Sequence, residues 1–410
     1  MTITLRMAWR NLWRHKRRTW LTVGAMIFSN LILVFSISLQ LGSYQMMIDN
    51  SLKSYTGHMQ IQREGYNDEP KMRSSIDAII PLANEVRKQL GSDTVAARGV
   101  AFAMTSSEER SYGLQIVGVE PEYEPKVSTL PGLINKGRYF EDINAEEIII
   151  GSVLARNLRV DIGDELTLLG SGHDGSFAAG IAIVSGIFES GIAEIDRSMA
   201  QLPIGYFQNL FGMDDRGHNI VVNAPELSQV SALQQTIVNN MLSARDKLVV
   251  LDWEQLQPGL KQAIQADFTS AWFMYGVLLV LVAFSVLNTQ LMSVLERTRE
   301  FGVMMALGVK PARLGSLVIT ETVVMSGLGL AIGAALGIVM TWYLSIVGFS
   351  YPGMEQMAER FNLPDRMYPS LSLLSIMLGP SIVFLFSLLA SIYPAIRLFL
   401  LQPVAAMRAV

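Results

Sequence analysis

Four stretches of the chain carry apolar residues without a single charge: 19–48, 268–295, 322–354 and 367–396. Each exceeds the roughly 20 residues that a helix needs to cross a bilayer, so the pattern predicts four membrane-spanning helices. Between the first two windows the pattern changes to short alternating runs, which predict strands at 58–62, 95–104, 114–119, 166–169, 182–188 and 220–223. Apolar residues return every three or four positions at 77–90 and 227–242, where Leu227, Val230, Leu233, Ile237 and Met241 share a helical face. The fold class expected is therefore an α-helical membrane protein with four transmembrane helices and a large inserted α/β extracytoplasmic domain. Its plan is an amphipathic helix at 1–18, a first span with its stalk at 19–48, and the α/β domain at 49–267. A second span at 268–295, a cytoplasmic helix and loop at 296–313 and a third span at 314–347 follow. An outer loop at 348–370, a fourth span at 371–396 and a tail at 397–410 complete it.

Composition agrees: 50% of the residues are hydrophobic and 17% charged, which excludes an ordinary soluble enzyme and a disordered chain. The net charge of −4 conceals an asymmetry. Residues 1–18 hold Arg6, Arg10, Arg14, Lys16, Arg17 and Arg18 and no acid, whereas 49–267 holds 18 Lys/Arg against 30 Asp/Glu. Basic flanks stay in the cytoplasm. The segment with Arg297, Arg299, Lys310 and Arg313, and the C-terminus with Arg397 and Arg408, follow the same rule. Both termini are expected inside and the acidic domain outside. In the first segment Leu5, Ala8, Trp9, Leu12 and Trp13 lie opposite Arg6, Arg10, Arg14 and Arg17, the pattern of a helix lying in the membrane interface with its arginines toward anionic lipid.

Candidate chemistry is sparse. His58, His173 and His218 lack the spacing of a zinc site and read as solvated loop residues. The run 170–176 sets Ser171, His173 and Asp174 together without a nucleophile elbow and reads as a flexible turn. Glu146 with Glu147, and Asp214 with Asp215, read as solvated pairs. No phosphate-binding loop occurs. No catalytic residue, metal or cofactor is expected on this chain, nor a nucleic-acid partner, and energy for active work has to come from another subunit.

Inside the spans, Gly329, Gly333 and Gly337 repeat every fourth residue and make a smooth face for helix packing. Glu321 is the one acid in the third span as bounded at 314–347, just before its charge-free window, and is expected to pair with Arg313 or Lys310 near the interface. Pro380, after Gly379, is expected to kink the fourth span. Residues 296–314, ERTREFGVMMALGVKPARL, interleave a charged turn (Glu296, Arg297, Arg299, Glu300) with an apolar stripe (Phe301, Met304, Met305, Leu307) and stop at Gly308 and Pro311. Such a short amphipathic helix suits either a membrane surface or a partner's groove.

This segment, extended to 288–314, resembles the FtsX-like permeases, the family that includes MacB and the lipoprotein-releasing permeases LolC and LolE. The glycine-rich third span, the ending SIYPAIRLFLLQPVAAMR at 391–408, and the phrases EIIIGSVLARNLRVDIGDELTLLG at 147–170 and GIFESGIAEIDRSMAQLP at 186–203 extend the likeness over nearly the whole chain. Leu398, Phe399 and Met407 depart from the usual tail. The layout is closest to LolC and LolE, and the outer domain looks like the MacB periplasmic core. The resemblance implies an inner-membrane permease whose residues Glu296, Arg297, Arg299, Glu300, Met304, Leu307 and Gly308 form the coupling helix received by an ABC ATPase. A dimer of that ATPase would bind ATP and magnesium, and a second permease copy or a paralogue would complete the complex. It also implies lipoprotein cargo, entering between the first and second spans and passed to a periplasmic carrier. The apolar faces at 26–39 and 272–287 would then hold acyl chains, with Met26, Phe28, Leu31, Phe35, Phe273 and Val277 as the candidate cavity residues beside membrane lipid. Signal transmission of the FtsX kind and MacB-like efflux of peptides or small molecules are the alternatives.

Overall fold

A computed structural model describes residues 3–14, 16–242, 245, 247–354 and 366–400. The chain divides into two compact units: one of residues 1–44, 264–351 and 366–410, the other of residues 45–263 and 352–365. Met407, Arg408 and the end of the 391–408 phrase lie outside the described residues.

The second unit is built on a ten-stranded sheet. In chain order its strands are β1 (Met59–Arg63), β2 (Val95–Ser106), β3 (Ser111–Val119), β4 (Ile134–Gly137) and β5 (Glu147–Gly151), then β6 (Glu165–Ser171), β7 (Phe177–Phe188), β8 (Met199–Pro203), β9 (Asn219–Val222) and β10 (Leu248–Asp252). They are arranged β10-β1-β9-β2-β3-β8-β5-β7-β4, with β6 bridging β2 and β7. β2 is the seam: Val95–Arg98 pair with β9, and Ala103–Ser106 pair with β6. Its first seven residues are buried, and the alternation of buried and exposed positions begins only at Phe102. On one side of the seam, helices Ile79–Leu90 and Val230–Ile237 cover the sheet. Ile79, Leu82, Val86, Val230, Ile237 and Met241 pack onto Met59, Ile61, Val95 and Ile220. On the other, Phe207 and Phe211 close a core with Ile116, Ile148, Ile150 and Leu166. Phe207 fits because Gly99 and Gly118, paired across β2 and β3, leave the space that two side chains would fill.

The six expected strands and both expected helices are present, the helix at 227–242 being divided into a 3₁₀ turn, an α-helix and a π-turn. β4, β5, β8 and β10 go beyond the expectation. β8 is buried on both faces and carries Ala, Gln and Pro, so it lacks both alternation and β-branched residues. The run 170–176 is the β6–β7 hairpin turn, closed by Gly172 N–H to the Ser176 carbonyl at 2.9 Å. The histidines correct their expectation. His58 and His218 are buried, held by Asn223 and by Val100 and Met72 respectively, because β1 and β9 lie inside the sheet. His173 is half-buried against the Ser75 hydroxyl.

Among the described residues, the first unit holds an N-terminal helix, Ile3–Arg14, and all or most of four helices long and apolar enough to cross a membrane. The first three helical runs, Lys16–Ser51, Pro258–Glu296 and Pro311–Val347, are longer than their charge-free windows, while the fourth, Leu373–Arg397, is shorter than its own. A Cβ on Gly329 would lie 2.7 Å from Met26 Cβ, on Gly333 2.7 Å from Asn30 Cβ, and on Gly337 3.0 Å from Val34 Cβ. The three glycines therefore seat the third span on the first. Gly379 does the same for the fourth, 2.9 Å from Leu33 Cβ. Pro380 and Pro394 both lie within one helical run.

Candidate coupling site

The second span ends at Glu296 because Arg297 leaves the helical conformation, with φ −101° and ψ 10°. A separate helix, Thr298–Ala306, follows at once. It stops at Gly308, whose φ of +93° is the left-handed region that glycine alone enters at little cost. Nothing lies within 4 Å of a Cβ there, so conformation and not crowding demands the glycine. Pro311 then opens the third span from its first turn, where a missing N–H costs nothing.

The short helix has two faces. Phe301 is buried among Val294, Leu314, Val318 and Leu398, with Met304 and Met305 against the same cluster. Arg299, Val303, Leu307 and Gly308 face outward, Leu307 being 80% exposed.

Charges hold the inner face. Arg297 is buried, its Nη1 donating to Glu321 Oε1 at 2.9 Å, with both side chains less than a tenth exposed. Asn11 Nδ2 donates to the same oxygen at 2.8 Å. Arg297 also reaches Glu300 Oε2 at 3.4 Å and lies over the Phe301 ring at 4.8 Å. Glu300 accepts from Arg14 at 2.8 Å, and Glu296 from Arg18 at 2.7 Å. Burial pushes the Glu300 carboxyl up, but the hydrogen bond and charge of Arg14, with those of Arg297, outweigh it and keep it below the usual carboxylate range.

Three sequence expectations are corrected here. Glu321 pairs with Arg297 and Asn11 instead of Arg313 or Lys310, because Arg297 ends the neighbouring span at the same level. Arg297 is therefore an internal strut and not part of the outward face with Arg299. Arg14 meets Glu300, and the N-terminal helix packs Leu12 against Val23 and Met325, so this helix is docked on the spans as well as bordered by the exposed Trp9 and Trp13. Asn11, Arg14, Arg18 and the Thr22–Thr289 contact at 2.6 Å had no sequence signal beyond being polar beside apolar runs.

The candidate cavity residues do not share one environment. Met26 is buried, against Gly329 of the third span and in one cluster with Tyr275 and Leu279 of the second. Leu31 and Phe35 are half-buried, Phe35 edge-on to Phe349 at 5.8 Å. Phe28, Phe273 and Val277 are exposed.

The chain matches the MacB-like periplasmic core domain over residues 19–240, more than half its length, and the FtsX-like permease C-terminal domain over 272–403. The chain belongs to the FtsX-like, MacB-type permease family. Lipoprotein-releasing system transmembrane protein LolC of Xylella fastidiosa is 24% identical over 316 residues, 73% of this chain and 74% of that protein. Macrolide export ATP-binding/permease protein MacB of Bdellovibrio bacteriovorus is 22% identical over 84% of this chain but only 55% of its own length. The extracellular domain of the transporter YknZ superposes on 47% of this chain with a TM-score of 0.36 at 17% identity. As a member of this family the chain is an ABC transporter permease of the LolC/LolE/MacB type, with a periplasmic-type α/β domain and four candidate membrane helices.

Proposed function

We propose that this permease couples ATP hydrolysis in a separate ATPase dimer to movement of its periplasmic domain, and that the movement extracts lipoproteins from the inner membrane. The termini and the Thr298–Ala306 helix then lie in the cytoplasm, and a second permease copy or a paralogue completes the complex. ATP and magnesium belong to the ATPase. The observation that carries the coupling is the two-faced short helix: one side is anchored by Phe301 and Arg297, while Val303 and Leu307 on the other are apolar side chains left exposed among the described residues. Exposed apolar side chains on a helix whose other face is anchored suit a partner's apolar groove. Lipoprotein cargo is supported by the LolC relatives, which this chain matches over about three quarters of their length. Residues Phe28, Phe35, Phe273 and Val277 are assigned to acyl chains in this reading, with transfer to a periplasmic carrier.

Photo-crosslinkers at Phe35 and Phe273, with cells fed labelled acyl chains, test the cargo. Recovery of an acylated protein is expected; recovery of phospholipid alone removes the lipoprotein assignment. A second reading, export of a small molecule, is favoured by the macrolide and pyoverdine exporters that match 84% and 81% of this chain. It requires transport that continues when lipoprotein release is blocked.

A further inference from the structure

The N-terminal helix and the Thr298–Ala306 helix are far apart in the sequence, yet one carboxylate oxygen serves both. Glu321 Oε1, on the third span, accepts from Asn11 at 2.8 Å and from Arg297 at 2.9 Å. A second tie runs directly between the helices, from Arg14 to Glu300 at 2.8 Å, and a third joins the start of the first span to the end of the second, Arg18 to Glu296 at 2.7 Å. The three arginines and three glutamates balance, so the group is charge-neutral; Arg297–Glu321 is its buried pair, and Arg14–Glu300 and Arg18–Glu296 are the more exposed ones. Glu321 is 3% exposed. A buried carboxylate is tolerated only while its donors stay in place, because an unpaired charge there is strongly unfavourable. Movement of the short helix that carried Arg297 away from Glu321, leaving the N-terminal helix behind, would break that condition.

We propose that Glu321 is a positioning residue that makes the N-terminal helix and the short helix one mechanical body. A push on the short helix is then delivered to the first span, through the Lys16–Ser51 helix that follows, as well as to the second and third. The docking reading supplies the push; the lock itself is a property of this chain. Leu12 and Phe301 pack in separate apolar clusters, each against the third span, and the charged group is the direct tie between the two helices.

The chain contains no cysteine, so paired spin labels go in cleanly at Met7→Cys and Val303→Cys, both exposed positions on the two helices. Pulsed electron paramagnetic resonance on the full chain in lipid nanodiscs should give one narrow distance. Glu321→Gln should at least double the width of the distribution, and Asn11→Ala should broaden it less. Arg14→Glu should broaden it too, and adding Glu300→Arg should narrow it again, a rescue that loss of packing would not show. An unchanged width in both Glu321→Gln and Asn11→Ala, or no rescue by the charge swap, overturns the proposal. If Glu321→Gln fails to insert, Asn11→Ala and the swap decide alone. Co-purification of the ATPase is scored separately with Leu307→Asp, so a failed docking reading leaves the distance result standing.

Discussion

Arg98 and Glu124 form a two-pronged ion pair with no solvent exposure at all: Nε to Oε2 at 2.9 Å and Nη2 to Oε1 at 2.6 Å. Arg98 is the β2 residue at the seam, and its guanidinium also donates to the Tyr55 carbonyl and lies 4.7 Å from the Tyr55 ring. Removing one partner strands the other charge in a dry interior, which costs about 3–5 kcal/mol. Glu124→Gln and Arg98→Met should each lower the unfolding midpoint accordingly. The double change Arg98→Met with Glu124→Leu should recover much of the loss, since two apolar groups leave no charge behind. Thermal unfolding of the three variants in detergent checks this.

The pH dependence of stability has an identifiable contributor. His218 is fully buried, its Nδ1 accepting from the Val100 N–H at 2.9 Å and its Nε2 facing the Met72 carbonyl at 3.1 Å, so the proton sits on Nε2. Burial pushes this imidazole down to about 4 from 6.5. Between those values the unfolded chain binds a proton that the folded chain refuses. The contribution is therefore intact above about pH 6.5 and is lost as the pH falls toward 4, by up to about 3 kcal/mol. His218→Gln should flatten the fall in unfolding midpoint between pH 6.5 and 4; an unchanged slope would assign it elsewhere.

The spans were legible because uncharged runs of this length have few other uses, and the helix at Ile79–Leu90 because Ile79, Leu82 and Val86 recur with its period. β5 was not: three isoleucines between Glu147 and Gly151 are too short a run to separate strand from helix. The Arg98–Glu124 pair was not either, since its members are 26 residues apart on elements with no shared period. Glu321 could be picked out as a membrane acid, but its partner depends on how the second span ends. The seven residues expected at the coupling helix share one short segment, yet only packing reveals that Arg297 turns inward while Arg299 and Leu307 turn outward.

Close approach of the first and third spans should be sensitive to a single methyl group. A Cβ on Gly333 would lie 2.7 Å from Asn30 Cβ and 2.8 Å from the Ile27 carbonyl oxygen, and the backbone cannot yield as a flexible side chain can. Gly333→Ala should destabilise by about 1–3 kcal/mol. Gly327, on the same helix with nothing within 4 Å, is the control: Gly327→Ala should be neutral or slightly stabilising. Midpoints of thermal aggregation in detergent distinguish the two, and equal effects would remove the packing argument.

The two faces of the short helix should separate folding from partner binding. Phe301 is wholly buried, so Phe301→Ala should cost about 3–5 kcal/mol and reduce the amount of folded protein in the membrane. Leu307 is 80% exposed and makes no contribution to that cluster, so Leu307→Ala should leave the unfolding midpoint unchanged. If an ATPase groove covers Leu307, truncating it forfeits about 1.5–3 kcal/mol of apolar burial, which is roughly a tenfold or greater loss of affinity. Titration of purified ATPase against the two variants should therefore show weakened binding with normal stability for Leu307→Ala, and a reduced folded fraction for Phe301→Ala. Equal affinity of Leu307→Ala and the parent chain would place the partner's groove elsewhere.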